Sequence, residues 1–301
     1  MPTPTFVPPA SPAWFAHRVG GVRHLGALDP DGPVAVDCGP HDELPMLAAG
    51  GLGRTNVRGL LRAGSPIRLE DVVFDVPVAH PGKLLCLGKN FAAHAREFGA
   101  EVPEEPIFFT KLPDTLLPHA GTVVLPHWLD ERIDHEVELA VVLGFEDPDR
   151  RGRKYVSPEE AVELIEGYTV LNDVTARTMQ GTDRGRQQPW LRSKSFDTFC
   201  PIGPFVVPAE ALGPNPDLAI DLYVGDELRQ SSRTGHMVVS VPEAIAYLSR
   251  HTTLRPGDIV AMGTPEGVGP ISDGDVMTAC IEGIGLLRNP VAREVAPHAD
   301  S

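Results

Sequence analysis

Two glutamates separated by one residue stand on an otherwise apolar segment near the middle of the chain. Residues 134–144 end in an apolar run that closes at a glycine, which predicts a β-strand. Because strand side chains alternate between faces, Glu136 and Glu138 point the same way, and Asp134 is placed to join them. Stacked carboxylates repel each other, and a bound cation would remove that cost. Oxygen ligands favour Mg²⁺ or Mn²⁺ over zinc; the alternative is a solvated strand face.

A third carboxylate follows another predicted strand. Asp173 comes two residues after the end of the strand predicted over residues 167–171, where side chains commonly line a site. Taken alone, it is better explained as a helix N-cap. Beside Glu136 and Glu138 it becomes a third hard ligand, and three carboxylates leave about three positions of an octahedral ion for water and substrate. An open site of this kind is typical of catalysis.

A histidine and a glutamate stand three residues apart in the segment 88–97. On a helical turn, His94 and Glu97 face the same side. A carboxylate that holds an imidazole can orient it to deprotonate water, which would make this pair a general base. The alternative is an ordinary pair on a helix surface.

Two further segments have residues suited to an anionic substrate. Lys194 could pair with such a substrate or with a developing enolate, although a solvated lysine is the alternative. The glycine-rich loop 263–269 follows a predicted strand but lacks the lysine and the spacing of a phosphate-binding loop. It could offer backbone N–H groups and the Thr264 hydroxyl to a carboxylate, or it is simply a turn.

The bulk composition limits the class of protein. The chain has 301 residues, a net charge of -15 and 42% hydrophobic residues, which predicts a globular enzyme-sized protein and argues against nucleic acid and anionic membranes as partners. No apolar run approaches the roughly 20 residues of a membrane helix. The first twelve residues lack the features of a secretory signal, so we expect a cytoplasmic protein. Four scattered cysteines predict buried free thiols.

The elements that must position these residues are mostly strands. We predict a small N-terminal domain over residues 1–75, with a strand, a turn and a strand over 21–37 and a short helix near 44–49. We interpret the glycines at 51–53 as a linker or a turn. A catalytic domain over 80–290 and a tail over 291–301 follow. Two helices are predicted, one from the Ser157 cap to about Glu166 and one from Val241 to about Arg250. The remaining strands are predicted over 83–87, 106–110, 122–125, 137–143, 167–171, 218–224, 258–262 and 275–281.

This pattern predicts a mostly β protein with some helix, of the α+β class. The sheet should be antiparallel or mixed and rolled up or packed like a barrel. The order of the motifs along the chain is typical of a known family. The chain resembles the fumarylacetoacetate hydrolase family from about Pro81 to Asn289, and the resemblance rests on the segments 88–97, 134–139, 167–177, 194–204 and 254–269 in that order.

The resemblance implies a β-roll behind a small N-terminal domain, usually in a homodimer. It also implies roles for nine residues: Glu136, Glu138 and Asp173 as ligands of Mg²⁺ or Mn²⁺, His94 and Glu97 as the water-activating dyad, Lys194, Gln180 and Thr264 at the oxo-acid end of the substrate, and Lys111 near the site. The chain shows two departures from the family pattern, and through the second it resembles the family's three-carboxylate branch, which acts on acylpyruvates and related small oxo-acids. Phe91 replaces the usual tyrosine, and the further aspartate ligand is missing near Leu87.

The reaction predicted from this set is hydrolysis of a carbon–carbon bond in a 2,4-dioxo acid, giving pyruvate and a carboxylic acid. The same enolate would also serve a β-oxo-acid decarboxylase, a dienoate isomerase or a sugar-acid dehydratase. An alternative of another class is a non-catalytic relative that binds metal.

Overall fold

The computed structural model of the protein describes residues 9–30, 35–97 and 103–296. Its strands are short and follow one another closely along the chain. They are β1 Ala13–Val19, β2 Val22–Leu28, β3 Ala35–Pro40, β4 Ser65–Ile67, β5 Val73–Asp75, β6 Leu84–Gly88, β7 Ile107–Thr110, β8 Leu116–Leu117, β9 Val123–Leu125, β10 Ile133–His135, β11 Val137–Leu143, β12 Ile165–Asn172, β13 Thr175–Ala176, β14 Cys200–Pro208, β15 Ala219–Val224, β16 Glu227–Arg233, β17 Ile259–Ala261, β18 Gly269–Pro270, β19 Val276–Ile281 and β20 Gly285–Arg293.

The helices of the described residues are mostly short. They are α1 Glu43–Ala48, α2 Gly53–Ala63, α3 Ala92–Glu97, α4 Pro158–Ala161, α5 Arg177–Gly185, α6 Leu191–Lys194, α7 Ala209–Leu212 and α8 Val241–His251, with 3₁₀ turns at Leu69–Asp71, Pro113–Thr115, Val162–Leu164 and Thr234–His236. Not one of the helices described is both long enough and apolar enough to cross a membrane.

Three sheets contain these strands. The largest has the order β4-β3-β2-β1-β14-β12-β11-β17-β6-β7, with β5 on β1 and β8 on β14; the others are β16-β15-β19-β20-β9 and β13-β10-β18. Neighbours are antiparallel except for β6 with β17, β8 with β14 and β9 with β20. The mostly β fold with a mixed sheet is therefore confirmed, and among the described residues the sheets are open rather than closed into a barrel.

The centre of the large sheet is buried on both faces. Every residue of β11, β12 and β14 is buried. Strands of this kind have nearly continuous apolar sequences, and the glutamates at the beginning of β11 are carried with them into the interior. This burial excludes the solvated strand face as an explanation of Glu136 and Glu138.

The strands of the first 75 residues extend this same sheet. In the register of β1 with β14, Trp14 lies opposite Val206 and Phe15 opposite Phe205. Both aromatic residues of β1 are fully buried. The N-terminal strands are thus hydrogen-bonded to the sheet that holds the carboxylates, and the division into domains stays a prediction, as does the homodimer.

The predicted strands and α1 have counterparts close to their expected bounds, but several elements differ. The helix capped by Ser157 continues only to the 3₁₀ turn at Val162–Leu164, and Glu166 belongs to β12. The glycines read as a turn lead into α2, and α5, β14, β16 and β20 were not predicted. Cys86 and Cys200 are buried free thiols, whereas Cys38 and Cys280 are half-buried.

A contact distant in sequence explains α2. The helix has no side-chain cap of its own, but the Glu166 carboxylate accepts the Leu52 N–H at 2.9 Å and the Trp14 indole N–H at 3.2 Å. A carboxylate at a helix N-terminus satisfies free N–H groups and complements the helix dipole. The cap is supplied from a strand 114 residues away, so it cannot be read from the local sequence.

Glu166→Gln should alter the pH dependence of stability. Burial raises the pKa of Glu166 from 4.5 to about 7, so the folded chain holds this proton more tightly than the unfolded chain. The free energy of unfolding should therefore fall as pH rises from 4.5 to about 7, by at most about 3.5 kcal/mol at ~1.4 kcal/mol per pH unit. We expect the glutamine variant to lack this fall in thermal unfolding between pH 4.5 and 8. The exposed Glu163→Gln is the control; parallel curves for Glu166→Gln and wild type would refute the assignment.

Candidate active site

Three buried carboxylates meet where β11 and β12 lie side by side. Glu138 belongs to β11, Glu136 directly precedes it, and Asp173 directly follows β12. Each offers one oxygen, and these oxygens all lie within 4.8 Å of one another. The N–H of Asp173 donates to the Glu136 carbonyl, and the N–H of Glu136 donates to the Asn172 side chain, each at 2.8 Å. Hydrogen bonds between adjacent strands thus hold the three predicted ligands together.

Asp134 does not join this group. The predicted strand is interrupted at Glu136, so the alternation of side chains does not continue from β10 into β11. Asp134 accepts instead from Arg132 at 2.6 Å and from Arg177 at 2.8 Å. Arg177 also donates to Glu136, so Asp134 orients a guanidinium against the cluster. The sequence reasoning gave Arg177 no role, although it closes the motif at residues 167–177.

Two buried lysines neutralise part of the cluster. Lys194, the last residue of α6, donates to Glu136 at 2.8 Å and to Asp173 at 2.5 Å. Lys111, just after β7, donates to the other oxygen of Asp173 at 2.7 Å and to the Val174 carbonyl at 3.2 Å. Lys194 also lines the cavity in front of the cluster, whereas Lys111 stands behind Asp173. That position suits the support of a ligand, and contact of Lys111 with substrate stays a prediction.

The three carboxylates differ in the charged groups that lie beside them. Burial would raise the pKa of Glu136, but the charges of Lys194 and Arg177 hold it below its usual range. Burial raises the pKa of Glu138 well above its usual value, and the charges of Asp173 and Glu136 add to this rise. Glu138 accepts the Gly263 N–H at 2.7 Å, and no lysine or arginine of the described residues forms an ion pair with it. It is the carboxylate of the cluster that lacks positive charge.

A divalent cation fits this arrangement. Isolated buried carboxylates are costly, and an ion held by all three would give Glu138 the charge that it lacks. The ligand set consists of oxygen alone, which suits Mg²⁺ or Mn²⁺. Because ligating carboxylates must be deprotonated, binding of the ion should favour the ionised form of Glu138.

The predicted dyad lies beside the cluster. His94 and Glu97 are three residues apart on α3, and the imidazole Nδ1 is 3.2 Å from a Glu97 oxygen. Glu97 also accepts the N–H of Gly267 at 3.3 Å, which ties α3 to the glycine-rich loop. His94 is buried and lines the same cavity as Glu136 and Glu138. The imidazole therefore faces the space where a substrate would contact the carboxylates.

This cavity has a volume of about 220 Å³. Six of the nine predicted residues line it: His94, Glu136, Glu138, Gln180, Lys194 and Thr264. Glu97, Asp173 and Lys111 are not among the lining residues. The apolar part of its lining includes Leu87, Phe109 and Trp190, and Lys194 Nζ lies 4.9 Å from the centroid of the Phe109 ring.

The two neutral polar residues of the cavity are held by neighbours. Gln180 on α5 accepts a hydrogen bond from Arg177 at 2.7 Å. Thr264 accepts from the amide of Gln230 at 2.8 Å, and the Gln230 oxygen accepts the Val137 N–H at 3.1 Å. Gln230 was not predicted, because nothing in the sequence around it distinguishes it from a strand residue.

Comparison with known protein families shows which family the chain belongs to. The family described as fumarylacetoacetate (FAA) hydrolase C-terminal matches residues 83–292. The chain belongs to this family. It is also 38% identical over 280 residues to oxaloacetate tautomerase FAHD2B, mitochondrial, of Bos taurus, a match that covers 90% of this chain and 84% of the relative. Membership predicted from the order of motifs is therefore confirmed.

Solved structures of the family extend the likeness over most of the chain. 5-carboxymethyl-2-hydroxymuconate delta-isomerase from Mycobacterium smegmatis matches with a TM-score of 0.75 and 36% identity, covering 94% of this chain and 99% of that one. Fumarylpyruvate hydrolase from Pseudomonas aeruginosa, in complex with Mn²⁺ and pyruvate, matches with a TM-score of 0.65 and 38% identity, covering 73% and 91%. Relatives on this scaffold thus include a tautomerase, an isomerase and a hydrolase.

Proposed function

We propose that this chain is a Mg²⁺- or Mn²⁺-dependent hydrolase that cleaves a carbon–carbon bond in a 2,4-dioxo acid and releases pyruvate and a carboxylic acid. The observation that carries the proposal is the His94–Glu97 dyad, which opens on the same cavity as Glu136 and Glu138. A general base is needed for attack by water and is not needed to stabilise an enolate. The Mn²⁺ and pyruvate of the fumarylpyruvate hydrolase neighbour support the metal and the product.

The residues divide the work between binding and proton transfer. Glu136, Glu138 and Asp173 would hold the ion, which when bound supplies positive charge beside the oxo-acid end of the substrate. Gln180 and Thr264 are placed to orient the substrate carboxylate. His94, oriented by Glu97, takes a proton from the water that attacks the 4-carbonyl.

Breakage of the bond between carbons 3 and 4 follows from that attack. Its electrons pass to the pyruvate fragment as an enolate, and the other fragment leaves as the carboxylic acid. Lys194 and Arg177 are fixed cations beside this developing negative charge, and fixed charges of this kind contribute strongly to catalysis. His94 returns its proton to carbon 3, which yields pyruvate and restores the dyad.

The open part of the cavity favours a substrate with a second acidic group. The volume of the whole cavity, about 220 Å³, lies below the roughly 300–1,000 Å³ typical of ligand pockets, so the substrate should be small. Lys89 and Arg184 line it and are more exposed than Lys194. Both cations are placed to meet a carboxylate at the distal end of the substrate.

Arg184→Gln should raise KM for fumarylpyruvate about fivefold, because an exposed ion pair contributes up to ~1 kcal/mol. The kinetics with acetylpyruvate, which has no distal carboxylate, should stay unchanged. Steady-state kinetics on the two substrates would measure this. Arg186→Gln is the matched control, since Arg186 lies two residues away and does not line the cavity. Equal effects of Arg184→Gln on both substrates would remove the distal carboxylate from the proposal.

A second candidate is an oxaloacetate tautomerase, favoured by the 38% identity to FAHD2B over most of the chain. Tautomerisation moves a proton between carbon and oxygen through the same enolate and consumes no water. The two reactions therefore make different demands on His94.

The deciding experiment is an assay of the purified chain with Mg²⁺ or Mn²⁺, and with EDTA as control. Pyruvate release is measured from acetylpyruvate, fumarylpyruvate and oxaloacetate, and keto–enol conversion of oxaloacetate is followed by absorbance. Metal-dependent release of pyruvate from a 2,4-dioxo acid is the expected result. Conversion of oxaloacetate alone would assign the tautomerase, release from oxaloacetate alone a decarboxylase, and silence on every substrate would contradict both candidates.

A further inference from the structure

Far from the carboxylate cluster in sequence, three side chains with metal-binding atoms meet on neighbouring strands. His17 on β1 and His24 on β2 are direct cross-strand partners. Asp37 on β3 lies opposite Gly26, and the register of β2 with β3 shifts between His24 and Gly26. The shift is a β-bulge-like irregularity, a feature that redirects side chains. One ligand atom from each of the three residues lies within 4.8 Å of the others.

The distances between these atoms are close to those of a metal site. Asp37 Oδ1 is 3.2 Å from His17 Nε2 and 2.9 Å from His24 Nδ1. Zinc bonds of about 2.0–2.2 Å in tetrahedral geometry place ligand atoms roughly 3.3–3.6 Å apart. A small outward movement of the side chains would therefore admit an ion at the point where the three groups already converge.

The surroundings hold the ligands in place. The His17 ring packs against Phe15 with the ring centroids 5.5 Å apart. Asp37 also accepts the Gly39 N–H at 2.9 Å. Contacts of this kind limit the movement of the ligand side chains.

The group is open to solvent on one side. The side chains of His17, His24 and Asp37 are 3%, 13% and 21% exposed. An ion could therefore enter from solvent, and water could complete its coordination. Two imidazoles and one carboxylate form a set that suits Zn²⁺ and other imidazole-binding transition metals, in contrast to the oxygen-only set of the catalytic cluster.

We propose that His17, His24 and Asp37 form a second metal site, which takes a transition-metal ion such as Zn²⁺ and joins β1, β2 and β3. Because β1 is hydrogen-bonded to β14, the ion would strengthen the N-terminal end of the large sheet. The proposal does not depend on the reaction catalysed at the carboxylate cluster.

The test is zinc stoichiometry and thermal unfolding of the full chain in excess Mg²⁺, which occupies the carboxylate cluster. Equilibrium dialysis followed by elemental analysis should give one zinc per chain, and zinc should raise the Tm. His24→Gln and Asp37→Asn should each weaken zinc binding at least 100-fold, beyond the roughly 10–100-fold effect of losing a residue that only orients a ligand. The exposed His80→Gln is the matched control.

Glu138→Gln separates the two sites, because it alters the carboxylate cluster alone. We expect this variant to retain one zinc per chain and the zinc-dependent rise in Tm. Loss of all zinc binding in Glu138→Gln, or equal zinc stoichiometry in wild type and in folded His24→Gln and Asp37→Asn variants, would overturn the proposal.

Discussion

Glu138→Gln should abolish binding of Mg²⁺ or Mn²⁺ and reduce turnover at least about 10³-fold, while the metal-free variant is at least as stable as the wild type. The loss of turnover follows because the ion provides several kcal/mol of charge stabilisation. The metal-free variant should be at least as stable as the wild type because Glu138 is a buried carboxyl with no ion-pair partner among the described residues. Its neutral replacement removes repulsion from Asp173 and Glu136 and keeps an acceptor for the Gly263 N–H.

The matched variant is Glu136→Gln, which should also lose the ion but should destabilise the metal-free chain. Lys194 and Arg177 both pair with Glu136 and are themselves largely buried. Removal of one partner from a buried ion pair typically costs about 3–5 kcal/mol. Calorimetric titration with Mn²⁺ and thermal unfolding in EDTA would compare the two variants. Equal stability of Glu136→Gln and Glu138→Gln in EDTA would show that the difference in their partners has no energetic consequence.

His94→Ala should lower pyruvate release by about 10²–10⁴-fold, the range of a general base, while Mn²⁺ affinity stays at the wild-type value. His94 contacts Glu97, but it is not one of the three residues whose oxygens converge on the proposed metal site. Its loss should therefore leave the affinity for Mn²⁺ unchanged. Single-turnover kinetics and calorimetric titration would measure the two effects separately. Glu97→Gln should cause a smaller loss, because the imidazole remains while its orientation relaxes.

The same variant distinguishes the candidate reactions. His94→Ala should slow pyruvate release more than keto–enol conversion of any oxaloacetate that the wild type accepts, because only hydrolysis also needs the imidazole to deprotonate water. The exposed His80→Gln provides the control for the loss of a histidine elsewhere. An unchanged rate of pyruvate release in His94→Ala would remove the general-base assignment.

Local patterns in the sequence predicted the structural features that depend on residues close together in the chain. Alternation and apolar runs predicted about half of the strands, β11 and β12 among them, because a strand buried on both faces requires such residues. The spacing of His94 and Glu97 predicted their contact, because residues three apart on a helix are neighbours. The Ser157 cap predicted where α4 begins, since both hydrogen bonds of its capping box lie within four residues. The order of motifs identified the family.

Contacts between distant segments were decided only by the tertiary structure. Lys194 neutralises Glu136 across 58 residues, and Glu166 caps α2 across 114 residues. No local pattern states which buried carboxylate receives a cation. The lack of an ion pair at Glu138 among the described residues and the pairing of Arg177 with Asp134 therefore became visible only in the packed sheet. The sequence by itself determined the periodicity, the caps and the set of chemical groups, because these depend on neighbours along the chain. The partners of each charge depend on which strands lie side by side, and that is a property of the whole fold.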